Sequence, residues 1–73
     1  MLFVYILEDE TGRFYVGITE NVDLRLAQHN AGKVRHTAKF GPWRVRTYVA
    51  FSEPSRAYAF EKYLKSGSGR AFS

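Results

Sequence analysis

The stretch FYVGITENVDLRLAQH, Phe14 to His29, holds the change of period on which the fold turns. Its opening, RFYVGI with the preceding Arg13, is short, apolar and rich in β-branched and aromatic residues, as strands are. After Ile18 the pattern changes. Asn21 is a good N-cap, VDLRLAQHN is made largely of helix formers, and Gly32 is a natural stop, so the spacing predicts a helix from Val22 to Ala31. At about 100° per residue, Leu24, Ala27 and Ala31 form one apolar stripe, and Val22 and Leu26 form a second on the other side. Arg25 and His29 lie four residues apart beside that second stripe. A polar pair bordered by apolar residues suggests the wall of a cleft more than open solvent.

Working outward, LFVYIL is a second short apolar run, separated from RFYVGI by EDETG, whose Gly12 suits a turn. This reads as a β-hairpin. If Leu7 and Arg13 close the loop, Tyr5 lies opposite Tyr15 and both rings project from one face. On the other side, GKVRHTAKFGP reads as a basic loop closed by Gly41-Pro42, and WRVRTYVAF alternates as a third strand should. SEPS then opens a second helix with Ser52 or Glu53 as cap and Pro54 in its first turn. RAYAFEKYLK continues it with a core stripe of Ala57, Phe60 and Leu64 and with Glu61 on the edge of that stripe. Trp43 reads as core. The order is β-β-α-β-α, an α/β (α+β) layer pair in which a small three-stranded sheet is flanked by helices.

The chain has 73 residues, which is room for one domain, 1–73, since domains run from about 50 to 250 residues. With no cysteine, disulfides are excluded, and two histidines are too few soft ligands for a structural zinc site. MLFVYIL is too short to span a membrane and is followed at once by EDE, so a soluble cytoplasmic protein without a membrane partner is expected. The net charge is +4. Its distribution is uneven: no acid falls between Leu24 and Ser52, where Arg25, Lys33, Arg35, Lys39, Arg44 and Arg46 all lie, while Glu8, Asp9 and Glu10 sit together. Such a basic middle would face a polyanion or form a solvated loop.

Tyr5 in FVY, Tyr15 in YVG, Arg25 ten residues later, His29 four further on, and Glu61 on a later helix together resemble the GIY-YIG nuclease family. The likeness covers essentially the whole chain and is nearest to small standalone members and to the N-terminal nuclease module of the excision-repair nuclease. It implies a mostly antiparallel sheet and a metal-dependent endonuclease acting on DNA. Branched, nicked or single-stranded forms are the candidate substrates, in repair or processing. Two departures stand out. Phe3 replaces the first glycine of the motif, and Ile18 stands where the excision-repair relatives carry a lysine.

The resemblance implies a division of labour that phosphodiester hydrolysis requires: a deprotonated water, neutralisation of charge on the phosphoryl oxygens, and help for the departing oxygen. Tyr15 would be general base or proton relay, a role in which nearby cations must favour a phenolate. Arg25, with a fixed charge and a planar fork, would clamp the scissile phosphate. His29 would assist proton transfer or hydrogen-bond the phosphate, and Tyr5 would position a water or phosphate oxygen. Glu61 would hold one Mg²⁺ or Mn²⁺, with water and phosphate oxygens completing the shell. Lys33, Arg35, His36, Lys39, Arg44, Arg46, Lys65 and Arg70 are the candidate nucleic-acid contacts. Singly, each residue has an ordinary reading: core aromatics for the tyrosines, surface pairing for Arg25, and for Glu61 a helix salt pair with Lys65 worth about 0.3 to 0.5 kcal/mol. The ordered set outweighs them. A catalytically weak nucleic-acid-binding module and a protein-interaction domain are the competing functions, and the sequence leaves monomer and weak dimer open.

Overall fold

The computed structural model describes residues 1–66, and these run β1 (Leu2–Glu8), β2 (Phe14–Thr19), α1 (Val22–Asn30), β3 (Arg44–Phe51) and α2 (Pro54–Lys65). The sheet is antiparallel throughout and ordered β2-β1-β3. β1 is therefore the central strand, a placement that spacing alone left open. Its continuous apolar run follows from burial on both faces. Val4 and Ile6 point to one side and Tyr5 and Leu7 to the other, none more than 2% exposed. Burial of side chains such as Val4, Ile6 and Leu7 contributes about 1.5–3 kcal/mol each.

One helix covers each face. Ala57, Phe60 and Leu64 of α2, the stripe expected from the sequence, pack on Val4 and Ile6 with Val16, Ile18 and Phe51. On the other face Val22 and Leu26 of α1 meet Tyr5, Leu7 and Trp43. The other apolar stripe of α1 is not used: Leu24 is 57% exposed, and Ala27 and Ala31 are also exposed. The opposing surface of Tyr5, Leu7 and Trp43 receives Val22 and Leu26, and the same orientation seats the neighbouring His29 on Tyr5.

The hairpin register differs from expectation. Glu8 pairs with Phe14 and closes the loop, so Tyr5 faces Gly17 and Tyr15 faces Leu7. The shift is two residues, and because the side-chain period of a strand is two, both tyrosines stay on one face as diagonal neighbours. The reason lies in Asp9. Its Oδ1 accepts bonds from Thr11 N, Thr11 Oγ1 and Arg13 N at 3.0, 2.7 and 3.0 Å, which draws residues 9–13 into the loop.

Helix α1 begins as expected, with Asn21 Oδ1 accepting from Leu24 N at 3.0 Å. It ends one residue early, at Asn30. Lys33 N donates to Gln28 O and Gly32 N to His29 O, a Schellman closure that requires the positive φ of 75° at Gly32. The segment from Gly32 to Pro42 is more than a basic loop. Val34 and Thr37 are buried. Asn30 ties its end to the sheet by donating to Trp43 O at 3.0 Å and accepting from Trp43 N at 2.6 Å. No helix among the described residues is long and apolar enough to cross a membrane.

Candidate active site

Four residues singled out in the sequence converge on the α1 face of the sheet. The Tyr5 hydroxyl lies 2.8 Å from His29 Nε2, and the Tyr15 and His29 rings meet edge to face with centroids 4.9 Å apart. Tyr5 and Tyr15 have centroids 6.3 Å apart. The diagonal register makes this cluster possible, because the ring of Tyr5 lies over Gly17. A Cβ at that glycine would sit 2.5 Å from the Tyr5 hydroxyl oxygen. Arg25, one turn before His29, donates through Nη1 to Gln28 Oε1 at 3.0 Å, and its positive charge acts on the Tyr5 hydroxyl.

Behind His29 the network continues. His29 Nδ1 is 2.7 Å from Thr37 Oγ1, which donates to Val34 O at 3.3 Å. A neutral imidazole has one donor and one acceptor nitrogen. With the Thr37 proton directed to Val34 O, Nδ1–H donates to Thr37 Oγ1, and Nε2 accepts from the Tyr5 hydroxyl. Every buried side-chain polar atom among the described residues then has a partner. Burial lowers the His29 pKa, and the positive charge of Arg25 lowers it further, so the ring is held neutral. Burial raises the Tyr5 pKa against the pull of Arg25, with Tyr15 and the negative charge of Glu61 adding to the rise. Tyr5 therefore keeps its proton.

Four of the five residues of the sequence pattern, Tyr5, Tyr15, Arg25 and His29, thus lie together, while Glu61 stands on α2 paired with Lys65. The GIY-YIG catalytic domain model matches residues 1–72. The chain belongs to the GIY-YIG family. Among its relatives, a UPF0213 protein of Halalkalibacterium halodurans is 38% identical over 69 residues, covering 93% of this chain and 73% of that one. A UPF0213 protein of Cupriavidus pinatubonensis is 43% identical over 64 residues, covering 86% and 71%. A structure-specific endonuclease subunit SLX1 homolog of Giardia intestinalis is 43% identical over 53 residues, covering 67% of this chain and 15% of its own length. The solution NMR structure of a UPF0213 protein from Bacillus halodurans superposes with a TM-score of 0.61 at 36% identity, over 99% of this chain and 79% of that one. The three-stranded antiparallel sheet with two helices is accordingly the fold of this GIY-YIG chain.

Within this cluster the residues divide by depth. Tyr5 and His29 are each 1% exposed, and both His29 nitrogens are occupied. Neither residue is placed to touch a phosphate as the sequence suggested; they lie beneath the surface. Tyr15 and Arg25 are half-buried and form its wall, and Tyr15 makes no side-chain hydrogen bond among the described residues. Glu61 is within reach of bulk water, its side chain 23% exposed and paired with Lys65 at 3.2 Å.

Among the described residues no group of three or more carboxylates or histidines could hold a metal ion. Glu61 is a single carboxylate, so a hard divalent cation held by it would keep most of its waters and take substrate phosphate oxygens as further ligands. Glu61 Oε2 also accepts from Lys65 Nζ at 3.2 Å.

The remaining basic residues do not join the cluster. Lys33, Arg35, His36 and Lys39 are exposed on the segment after α1. Arg44 and Arg46 lie on β3 and both bind Glu8 Oε1, at 3.1 and 3.0 Å, so the acidic turn offsets part of the basic middle. Arg70 lies outside the described residues. Sequence reasoning missed Thr37, Gln28 and Asn30. Gln28 was findable, three residues after Arg25 on the same helix. Thr37 was not, because its value depends on how a loop folds back.

Proposed function

We propose that the chain is a metal-dependent endonuclease that hydrolyses phosphodiester bonds in DNA, with Tyr15, Arg25 and Glu61 at the surface and Tyr5, His29 and Thr37 supporting them from beneath. The observation that carries this reading is the hydrogen-bonded run from Tyr5 through His29 to Thr37, with Arg25 one turn before His29 and a Tyr15 hydroxyl that has no side-chain hydrogen-bond partner among the described residues. The family match and the endonuclease name of the SLX1 homolog support the same reaction class, and repair or processing of branched DNA follows as the proposed setting.

Each residue has a task that its surroundings permit. Tyr15 in its phenolate form accepts the proton of the attacking water as general base, or in its neutral form takes that proton while passing its own hydroxyl proton on to solvent as a relay. Its hydroxyl is available for that because nothing else in the described chain claims it. Arg25 has donors left after Gln28 is satisfied, and these meet the phosphate oxygens as negative charge builds. Gln28 fixes the guanidinium of Arg25, and neutral His29 fixes Tyr5. Glu61 would hold Mg²⁺ or Mn²⁺ after releasing Lys65. When bound, such an ion supplies Lewis-acid stabilisation of the departing oxygen. The single carboxylate makes metal affinity low without DNA.

A panel of duplex, nicked, flapped and single-stranded DNA tests this, incubated with Mg²⁺, Mn²⁺ or EDTA and with wild type or Glu61→Ala. Metal-dependent nicking that the variant loses while retaining DNA binding is the expected result. Salt-sensitive binding without cleavage under either metal would replace the nuclease with a binding module of the same fold. The absence of any DNA binding would point to a protein-interaction domain.

A further inference from the structure

Helix α1 divides its face of the sheet in two. Arg25 and Gln28 lie on the flank turned toward Tyr5 and β2, while Asp23 and Asn30, two turns apart, lie on the flank turned toward β3, where Asn30 binds Trp43. Between that second flank and β3 runs a groove of about 320 Å³. Val22 and Val45 give it apolar lining, Phe3 and Tyr48 give it aromatic walls, and Glu20 and Asp23 stand at its rim. The two rings meet edge to face, with centroids 5.8 Å apart and Tyr48 55% exposed.

Charge complementarity decides what fits there. Glu8, Asp9, Glu53 and Glu61 each have an arginine or lysine partner. Glu10, Glu20 and Asp23 have none among the described residues, although the chain carries a net charge of +4, and the last two stand together at this groove. Unpaired carboxylates beside exposed aromatic faces repel a phosphate backbone and attract a cation that carries an apolar stem. An arginine or lysine side chain is such a group: its methylenes lie along Val22 and Val45, its charge meets Glu20 and Asp23, and the aromatic faces add cation–π attraction. We propose that this groove docks an arginine- or lysine-bearing segment of a protein partner, on the side of α1 away from the site of Tyr15 and Arg25. Occupation of one side leaves the other open, so a partner seated here would deliver the chain to its nucleic acid without competing for the cleft.

The test uses the full chain and a labelled, end-blocked peptide of four Arg-Gly repeats as probe, with a Glu-Gly peptide as control. In ¹⁵N–¹H spectra the Arg-Gly peptide should shift the amides of Phe3, Glu20, Asp23 and Tyr48. Its affinity should fall at least about tenfold in Tyr48→Ala and in the double variant Glu20→Gln with Asp23→Asn, each of which changes exposed side chains. DNA binding by Tyr48→Ala should remain at the wild-type level, which separates this docking from the nuclease reading. Shifts scattered over Glu8–Glu10 and Glu53, or affinity unchanged in the variants, would overturn the proposal. So would concentration-dependent shifts at the groove without peptide, together with a dimer in sedimentation, since the occupant would then be a second copy of the chain.

Discussion

Gly17 and His29 are the residues on which the site depends most sharply. A methyl group at position 17 would lie 2.5 Å from Tyr5 Oη and 2.6 Å from Cζ, and the ring cannot swing aside without breaking its bond to His29. Gly17→Ala should therefore lower stability by about 1–3 kcal/mol, as overpacking does, measured by urea unfolding with an unchanged m-value. A wild-type midpoint would show that the tyrosine is not pinned. His29 sets a pH dependence. Its folded pKa is below the ordinary 6.5, so the unfolded chain binds the proton more readily between those two values. Its contribution is complete above pH 6.5 and is lost as pH falls through the window down to the folded pKa. Unfolding free energy followed from pH 8 to 5 should begin to drop near 6.5, well before the carboxylates titrate. A flat profile across that window would contradict a buried neutral ring. At this scale the sequence was readable for identity but not for depth: Tyr5, Tyr15, Arg25 and His29 were found in the chain, whereas burial, which turns Tyr5 and His29 from contacts into supports, depends on tertiary packing.

Elements were legible where local chemistry decides them. The cap at Asn21, the glycine stop at Gly32, Pro54 at the start of α2 and the stripe of Ala57, Phe60 and Leu64 all stand as the spacing indicated. The hairpin register failed because its closure depends on the hydrogen bonds of Asp9, which residue type alone did not reveal. The inward face of α1 was ambiguous because it carries two apolar stripes, and only the opposing surface of Tyr5, Leu7 and Trp43 chooses between them. The segment after α1 is the clearest gap. Read as a basic loop, it delivers Thr37 to His29 Nδ1 and is held by Trp43 Nε1 donating to Thr37 O at 3.3 Å. Thr37→Val keeps the shape but leaves Nδ1–H unpaired in a buried place, so it should cost about 1–3 kcal/mol. Thr37→Ser should recover most of that loss. The ¹⁵N shifts of His29 provide a second readout, reporting Nδ1–H in wild type and Thr37→Ser and a disturbed ring in Thr37→Val. Equal stability and equal ring shifts in all three proteins would remove Thr37 from the network.

For the whole molecule, the arrangement is asymmetric about the central strand. One face carries α2 and an apolar cluster whose edge bears Glu61; the other carries α1, with a cationic site on one flank and an acid-rimmed groove on the other. Net charge gave only a partial account of this. Glu8 draws Arg44 and Arg46 into ion pairs, whereas the exposed Lys33, Arg35 and Lys39 on the segment after α1 make no ion pair among the described residues and stay available to a polyanion. Ile18, where a cation is expected from excision-repair relatives, packs into the α2 cluster, and Arg25 is the cation supplied by the described cluster. The account rests on Glu61 serving the reaction more than the helix, and its exposed pair with Lys65 is worth at most about 0.5 kcal/mol to stability. The most direct measurement is single-turnover nicking of flapped DNA by wild type and Glu61→Gln, which removes the charge and keeps the shape. Cleavage should require Mg²⁺ or Mn²⁺ and fall by about 100-fold or more in the variant, equivalent to about 2.7 kcal/mol of barrier, with DNA affinity within about twofold and melting unchanged. Equal cleavage rates in the two proteins, or DNA binding with no cleavage under either metal, would contradict it.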